Sequence, residues 1–298
     1  MAHLHPPGLR PTNRQPAVRP GAFPFSTYRR LRFGERPSCP RCAADRVHRW
    51  GSFSGRQRYR CVRCRRTFSD FTGTPLAYVK KLRAWAPYCL CMRDGLPIRT
   101  SAQIVGISPA TAFRWRHRIL PAQDAGDDAA MGRLVAIGET WFQHSEKGSR
   151  ALDRPPRRRR IWHRCDATPV WVLVARDEAA GVASAVVGLR RPDPDDIVAA
   201  LGHRLSPGSE LMSRYGWYGA PAVAADRLEI PHRDADISAP QVVAVKFYAV
   251  RLHRWMRRFR GVATRYLANY LAWHRFVEAG TDVRERMIVA ALSAGRPP

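Results

Sequence analysis

Two close pairs of cysteines constrain the front of this chain more than any other feature. Cys39-Pro40-Arg41-Cys42 and Cys61-Val62-Arg63-Cys64 are separated by eighteen residues. Each pair closes a tight knuckle, and two knuckles at this separation bring four thiolates around one tetrahedral ion, which for sulfur donors is zinc. So short a segment builds no core of its own, so Zn2+ bound by Cys39, Cys42, Cys61 and Cys64 replaces one. Four thiolates leave no open coordination position, which makes the ion structural rather than catalytic. Gln57-Arg58-Tyr59-Arg60 alternates as a strand running into the second knuckle. The cations around it, Arg58, Arg60, Arg63, Arg65 and Arg66, suit contact with phosphate. Cys89, Cys91 and Cys165 lack such spacing and read as packing residues.

Charge names the partner. Among 298 residues there are 51 Lys plus Arg against 24 Asp plus Glu, a net charge of +27. That surplus calls for a polyanion, and double-stranded DNA leads because each neutralised phosphate releases counterions. A membrane surface is the weaker candidate. No run approaches the ~18 apolar residues of a spanning helix, and the basic residues are spread along the whole chain. The amino-terminal residues through Arg36 hold no apolar stretch of the secretory kind. Metal-spaced cysteines fit a reducing compartment. The expected location is the cytoplasm of a bacterium, in association with the nucleoid.

Composition and periodicity divide the chain. Residues 1–36, rich in Pro and Arg, read as a disordered basic arm. Residues 37–72 hold the cysteine pairs. Residues 73–120 read as helical, from Pro75 to Arg93 with a possible break at Pro87, and again from Thr100 to Leu120. Residues 121–132 are a Pro/Asp/Gly/Ala linker. Residues 133–298 change character. Leu134 to Ile137, Val170 to Ala175, Ala183 to Val187 and Glu210 to Met212 read as strands. A helix is expected from about Asp195 to His203, with Pro192 and Pro194 barring an earlier start, and helices from Gln241 to Leu292 break at Gly261 and near Gly280. Strands, then mixed elements, then helices predict an α/β domain. Arg154 to Arg160 is a basic run suited to a mobile loop or to phosphate.

Residues 101–120 carry a second nucleic-acid signal. A short helix, Ser101 to Val105, is followed by Gly106 for the turn, Ser108 as N-cap and Pro109 at the first helical position. The second helix bears Arg114, Arg116, His117 and Arg118. This is the shape of a helix-turn-helix, whose second helix enters the major groove.

Together these segments resemble insertion-sequence transposases that carry an amino-terminal zinc ribbon, a helix-turn-helix and an RNase H-like DDE domain. The residues that carry the likeness are Cys39 to Phe68, Thr100 to Leu120, Ile137 to Phe142 with Lys147-Gly148, and Trp255 to Trp273. The resemblance implies a mixed sheet with flanking helices, and phosphoryl transfer through carboxylates that hold two metal ions. It places those carboxylates at Gly138, Arg214 and Lys246, none of which is an acid and two of which are cations. A cation there repels Mg2+. Surrogate acids are Glu139 first, then Asp166, Glu210, Asp226, Asp234 and Asp236. In a regular strand Glu139 points away from the Gly138 face.

Three readings follow. The first is a DNA-binding pseudoenzyme or regulator of transposase descent, oligomeric on the terminal repeats of an element. The second is an active DDE transposase that uses Mg2+ through the surrogate acids. The third is a zinc-ribbon transcription or RNA-binding factor.

Overall fold

The computed structural model describes residues 25–53, 56–74, 76–120, 129–152, 168–214 and 219–278. The basic run at 154–160, Cys165, Asp166 and the chain beyond 278 lie outside them. So does most of the segment read as a linker.

Strands β1 (Val47–Phe53), β2 (Arg56–Cys61) and β3 (Thr67–Ser69) form an antiparallel sheet in the order β1-β2-β3. Its small core is Cys39, Tyr59, Cys61 and Phe68. One element here corrects the sequence reading. Residues 25–33, counted within the disordered arm, form helix α1 (Phe25–Phe33). Tyr28 is buried, stacks on Phe71 at 5.0 Å and donates its hydroxyl to the Asp70 carbonyl at 2.9 Å. Arg29 pairs with Asp70 at 3.0 Å. Average composition over residues 1–36 hid a nine-residue stretch whose partner lies about forty residues away.

Helices α2 (Trp85–Arg93), α3 (Ile98–Val105) and α4 (Pro109–Ile119) follow. The first begins ten residues later than the Pro75 start expected. Pro87 stands in its opening turn, where no intrahelical bond to the amide is due, so it breaks nothing. Gly106 ends α3 in the left-handed conformation at φ 70°, and the Ser108 hydroxyl caps α4 by accepting from the Thr111 amide at 3.2 Å.

The second sheet has the order β6-β5-β4-β7-β8, with β4 (Leu134–Gln143), β5 (Pro169–Asp177), β6 (Val182–Gly188), β7 (Glu210–Arg214) and β8 (His232–Ala235). The β4–β5 and β5–β6 pairs are antiparallel, whereas β4–β7 and β7–β8 are parallel. The parallel strands need crossovers, and α5 (Pro194–Leu201) and α6 (Ala220–Arg227) supply them. Pro194 opens α5 rather than delaying it, because Asp193 caps the helix and a proline at the first position gives up no bond. Neither α6 nor β8 is marked by sequence patterning. His232, Arg233 and Asp234 are polar and the strand is exposed or half-exposed throughout on the sheet edge, so no hydrophobic alternation marks it.

Alternate residues of the central strand feed two cores. Val135 and Ile137 face α5 and α6. Ala136 faces α7 (Pro240–Arg257) and α8 (Leu267–Glu278). The chain is therefore a mixed α/β protein, its mixed sheet flanked by helices on both faces. The second core does not stop at the sheet. It joins Trp85, Tyr88 and Trp115 to Tyr248, Trp255 and Trp273, and the Trp273 indole donates to the Met92 carbonyl at 3.2 Å. Helices α2–α4 and the sheet's outer helices share one interior.

Candidate nucleic-acid interface and metal centre

The four cysteines of the two knuckles converge. Their sulfurs all lie within 4.8 Å of one another, with Cys39–Cys64 at 3.7 Å and Cys42–Cys61 at 3.6 Å. Four sulfurs held about 2.3 Å from one tetrahedral ion stand about 3.8 Å apart, so the donor set fits zinc. Backbone geometry makes the knuckles alike. Ala43 and Arg65, each following the second cysteine of its pair, both take φ 57°. The Cys39 amide donates to the Ala44 carbonyl at 2.8 Å, and the Cys61 amide to the Arg66 carbonyl at 3.1 Å. The Cys64 amide, aimed at Cys61, helps lower that thiol to about 7. The Ala44 amide favours the Cys42 thiolate, but burial and the neighbouring thiols outweigh it and raise that group to about 11. Of the cations near the knuckles, Arg63, Arg65 and Arg66 are exposed and Arg58 and Arg60 half-exposed.

Helix α4 divides the four residues its sequence offered to DNA. Arg114 and Arg118 are exposed and share a face with Ala110 at four-residue spacing. Arg116 is fully buried. Its guanidinium lies 4.8 Å from the Trp273 ring and 5.6 Å from that of Phe259, and it donates to the Leu96 carbonyl at 2.6 Å. His117 is half-buried, 4.4 Å from Phe113 and 4.0 Å from Tyr266. Burial, with help from Arg116 and Arg265, lowers its pKa to about 4, so it is neutral at pH 7. Arg116 and His117 are thus corrected from surface contacts to interior ones. Sequence reasoning ran the basic residues together as Arg114-Trp115-Arg116-His117-Arg118. At 100° per residue such a run must turn partly inward.

The third place is the carboxyl end of β7. The parallel register sets Ile137 opposite Ser213, so Gly138 and Arg214 are neighbours in phase with Ala136 and Met212, on the face that α7 covers. A side chain at Gly138 would begin 2.8 Å from the Val245 methyl. Lys246 follows Val245 on the helix and is exposed, as is Arg214. Neither forms an ion pair among the described residues. The sheet register thus sets positions 138 and 214 side by side, with Val245 filling the space over the glycine and the exposed Lys246 next to that valine on the helix.

The surrogate acids among the described residues do not assemble there. Glu139 lies on the opposite face, held by Arg191 at 2.7 Å, which itself covers the Trp171 ring at 4.9 Å. Glu210 is tied to Arg233 by two bonds of 2.6 and 2.8 Å. Asp234 accepts from the Ser213 hydroxyl at 3.3 Å, and Asp236 binds the Ser238 amide at 2.8 Å. Asp226 is exposed near the end of α6. Among the described residues, the only group of metal-ligand type is the cysteine set. Val245 and Arg191 are the residues that sequence reading missed, since an apolar helix position and a loop arginine carry no signal of what they will cover.

Two segments of the resemblance, separated by over a hundred residues, interlock. Lys147 donates to the Arg260 and Gly261 carbonyls at 3.2 and 2.9 Å. The Ser145 amide donates to the Thr264 hydroxyl, and the Thr264 amide to the Ser145 carbonyl, both at 2.8 Å. No helix among the described residues is long and apolar enough to cross a membrane.

No family model matches the chain. It is similar to an uncharacterized protein in transposable element ISH50 of Halobacterium salinarum, with 37% identity over 147 residues. That match takes in 46% of this chain, which spans about half, 49%, of the relative's length. Solved structures with some likeness include the simian T-cell lymphotropic virus intasome bound to PP2A regulatory subunit B56 gamma, at 12% identity and TM-score 0.34 over 64% of this chain and 65% of that one. The pre-cleavage Mos1 transpososome gives 10% and 0.30 over 71% and 78%, and the Mos1 strand transfer complex 12% and 0.33 over 72% and 78%. What this chain shares with a known sequence is therefore a stretch of a transposable-element protein.

Proposed function

We propose that this chain is a DNA-binding protein of insertion-sequence transposase descent whose strand-transfer site no longer holds metal. The observation that carries the reading is Val245 over Gly138: the space a first carboxylate needs is filled, and Arg214 and Lys246 stand at the other two positions. The similarity to a transposable-element protein supports the ancestry. On this reading the strand order β6-β5-β4-β7-β8 is an RNase H-like sheet, Cys39 to Cys64 a zinc ribbon and α3–α4 a helix-turn-helix.

Arg114 and Arg118 on α4, the cations around the knuckles, and Arg214 with Lys246 then meet the phosphates of duplex DNA. A terminal repeat of the element is the natural site, bound by more than one copy. A protein that binds such ends without cutting them acts as a regulator or competitor of an active relative.

The test gives zinc-loaded protein a labelled duplex of the element's end in Mg2+ or Mn2+, and follows binding and cleavage together. Binding without nicking is expected. Metal-dependent nicking would overturn the reading and send attention to Glu139. Binding that ignores the end sequence and prefers RNA would favour a transcription or RNA-binding factor.

A further inference from the structure

The outer face of the three-stranded sheet carries aromatic rings in the open. Trp50 is 46% exposed and Phe53 70% exposed. Exposed large aromatics on a small, highly charged sheet need a reason, because burying them inward would stabilise it.

Register explains how they come to share a face. In β1, His48 pairs with Arg60 and Arg49 with Tyr59, but Ser52 pairs with Gln57 and Phe53 with Arg56. One extra residue is accommodated between Arg49 and Ser52, with Gly51 at φ 67°. An extra residue reverses the alternation that follows it. Tyr59 points into the core, so His48, Arg58 and Arg60 face outward. Trp50 shares their phase, and the bulge brings Phe53 into it as well. Without the bulge Phe53 would turn inward.

Basic side chains share this face, and one of them lies over Trp50. The Arg60 guanidinium lies 4.5 Å from the Trp50 ring centre, and the His48 ring 6.3 Å from it. Arg60 is fixed there by donating to the Arg65 carbonyl at 3.3 Å, and Arg58 by donating to the Thr67 hydroxyl at 3.2 Å. None of the residues of β1, β2 or β3 is acidic. Flat rings open on one side and interleaved with fixed guanidinium groups suit unpaired nucleotides: the bases stack while the cations hold the backbone. Duplex DNA offers no base face to such a surface, and an apolar protein partner would not require a purely cationic surround.

We infer that the outer face of this sheet, with Trp50 at its centre and Phe53, Arg58 and Arg60 around it, binds single-stranded DNA by base stacking. The inference rests on the DNA-binding reading above and adds a second kind of DNA to it, such as a frayed or displaced strand next to the duplex held by α4.

The test uses the full zinc-loaded chain and three probes: a twelve-nucleotide DNA strand, the same strand with abasic positions, and a duplex of equal length. The intact strand should bind about tenfold more tightly than the abasic one, since stacking contributes at this scale per base. Trp50→Ala should remove that preference, Trp50→Phe should restore most of it, and neither should change duplex affinity or zinc content. Equal affinity for intact and abasic strands, or an unaltered preference in Trp50→Ala, would overturn the inference. Arg114→Ala with Arg118→Ala should weaken the duplex alone. If wild-type protein ignores duplex yet still prefers the intact strand, the duplex reading fails and the stacking face stands.

Discussion

The Arg116 guanidinium lies 4.8 Å from the ring of Trp273, although more than 150 residues of sequence separate the two. Arg116 belongs to α4, the helix that the sequence offers to DNA, and Trp273 to the last described helix. The basic helix is therefore seated on the helices that cover the sheet, with one face left for a partner.

Arg116 should matter to folding and hardly at all to DNA. Its Nε and Nη1 are buried without hydrogen-bond partners, so the side chain stabilises through volume, ring contact and the bond to Leu96. Arg116→Ala should destabilise by about 3 kcal/mol through the cavity it leaves. Arg116→Met keeps most of the volume and removes a buried charge, and should be near neutral in denaturant unfolding. Duplex affinity of Arg116→Met should stay within about twofold, whereas Arg114→Ala and Arg118→Ala should each reduce the salt dependence of binding by about one unit. A large affinity loss in Arg116→Met at full stability would put the residue back on the surface.

Gly138 and Val245 should be energetically coupled. Gly138→Ala drives a methyl to 2.8 Å from Val245 and should cost about 1–3 kcal/mol by overpacking. Val245→Ala opens a small cavity. The double variant should be more stable than the sum predicts by about 1 kcal/mol or more, as a double-mutant cycle would read. Additive effects would mean that the helix does not lie on the glycine. Gly138→Asp alone should bring no metal-dependent nicking.

Metal removal should act locally. The cysteine knuckles have their own small core, separate from the one shared by α2–α4 and the sheet. Metal analysis should give one zinc per chain, lost in Cys42→Ser. A chelator should abolish one unfolding transition while a second, from the larger core, persists. A single transition that vanishes whole would show that the larger core depends on the ion.

Acid should weaken the fold in a defined window. His117 and His274 are both lowered to about 4, chiefly by burial. The ordinary value is 6.5, so between pH 6.5 and 4 the unfolded chain binds protons that the native one does not. Their contribution is complete above pH 6.5, is lost progressively down to about 4, and changes no further below. Glu178, Asp193 and Asp236, all lowered, add loss only beneath the ordinary carboxylate range. A melting-temperature profile should therefore slope from pH 6.5 downward and flatten in part in His117→Gln. An unchanged slope in that variant would assign the loss to other groups.

The cationic sheet end should hold phosphate. Arg214→Asp with Lys246→Asp should lower duplex affinity by about tenfold or more at low salt, since two charges reverse. Unchanged affinity at intact stability would remove this site from the interface.

Local chemistry was legible in the sequence, because spacing alone sets it. Two Cys-x-x-Cys pairs at this separation point to paired knuckles, and Gly106, Ser108 and Pro109 specify a turn and a cap whatever packs on them. The start of β4, Leu134 to Ile137, could also be read from its apolar run, whereas the role of position 138 came only from the resemblance. Facing could not be read. Whether Arg116 meets water or Trp273 depends on α8, over a hundred and fifty residues away, and whether Gly138 lies open depends on Val245 landing above it. Helix α1 and strand β8 hold their places through distant partners rather than their own propensity. The sequence by itself determined the cysteine knuckles, the helix pair and the strong positive charge of the chain. Only the tertiary structure decided which basic side chains remain free to meet a partner, because burial belongs to pairs of surfaces and not to single residues.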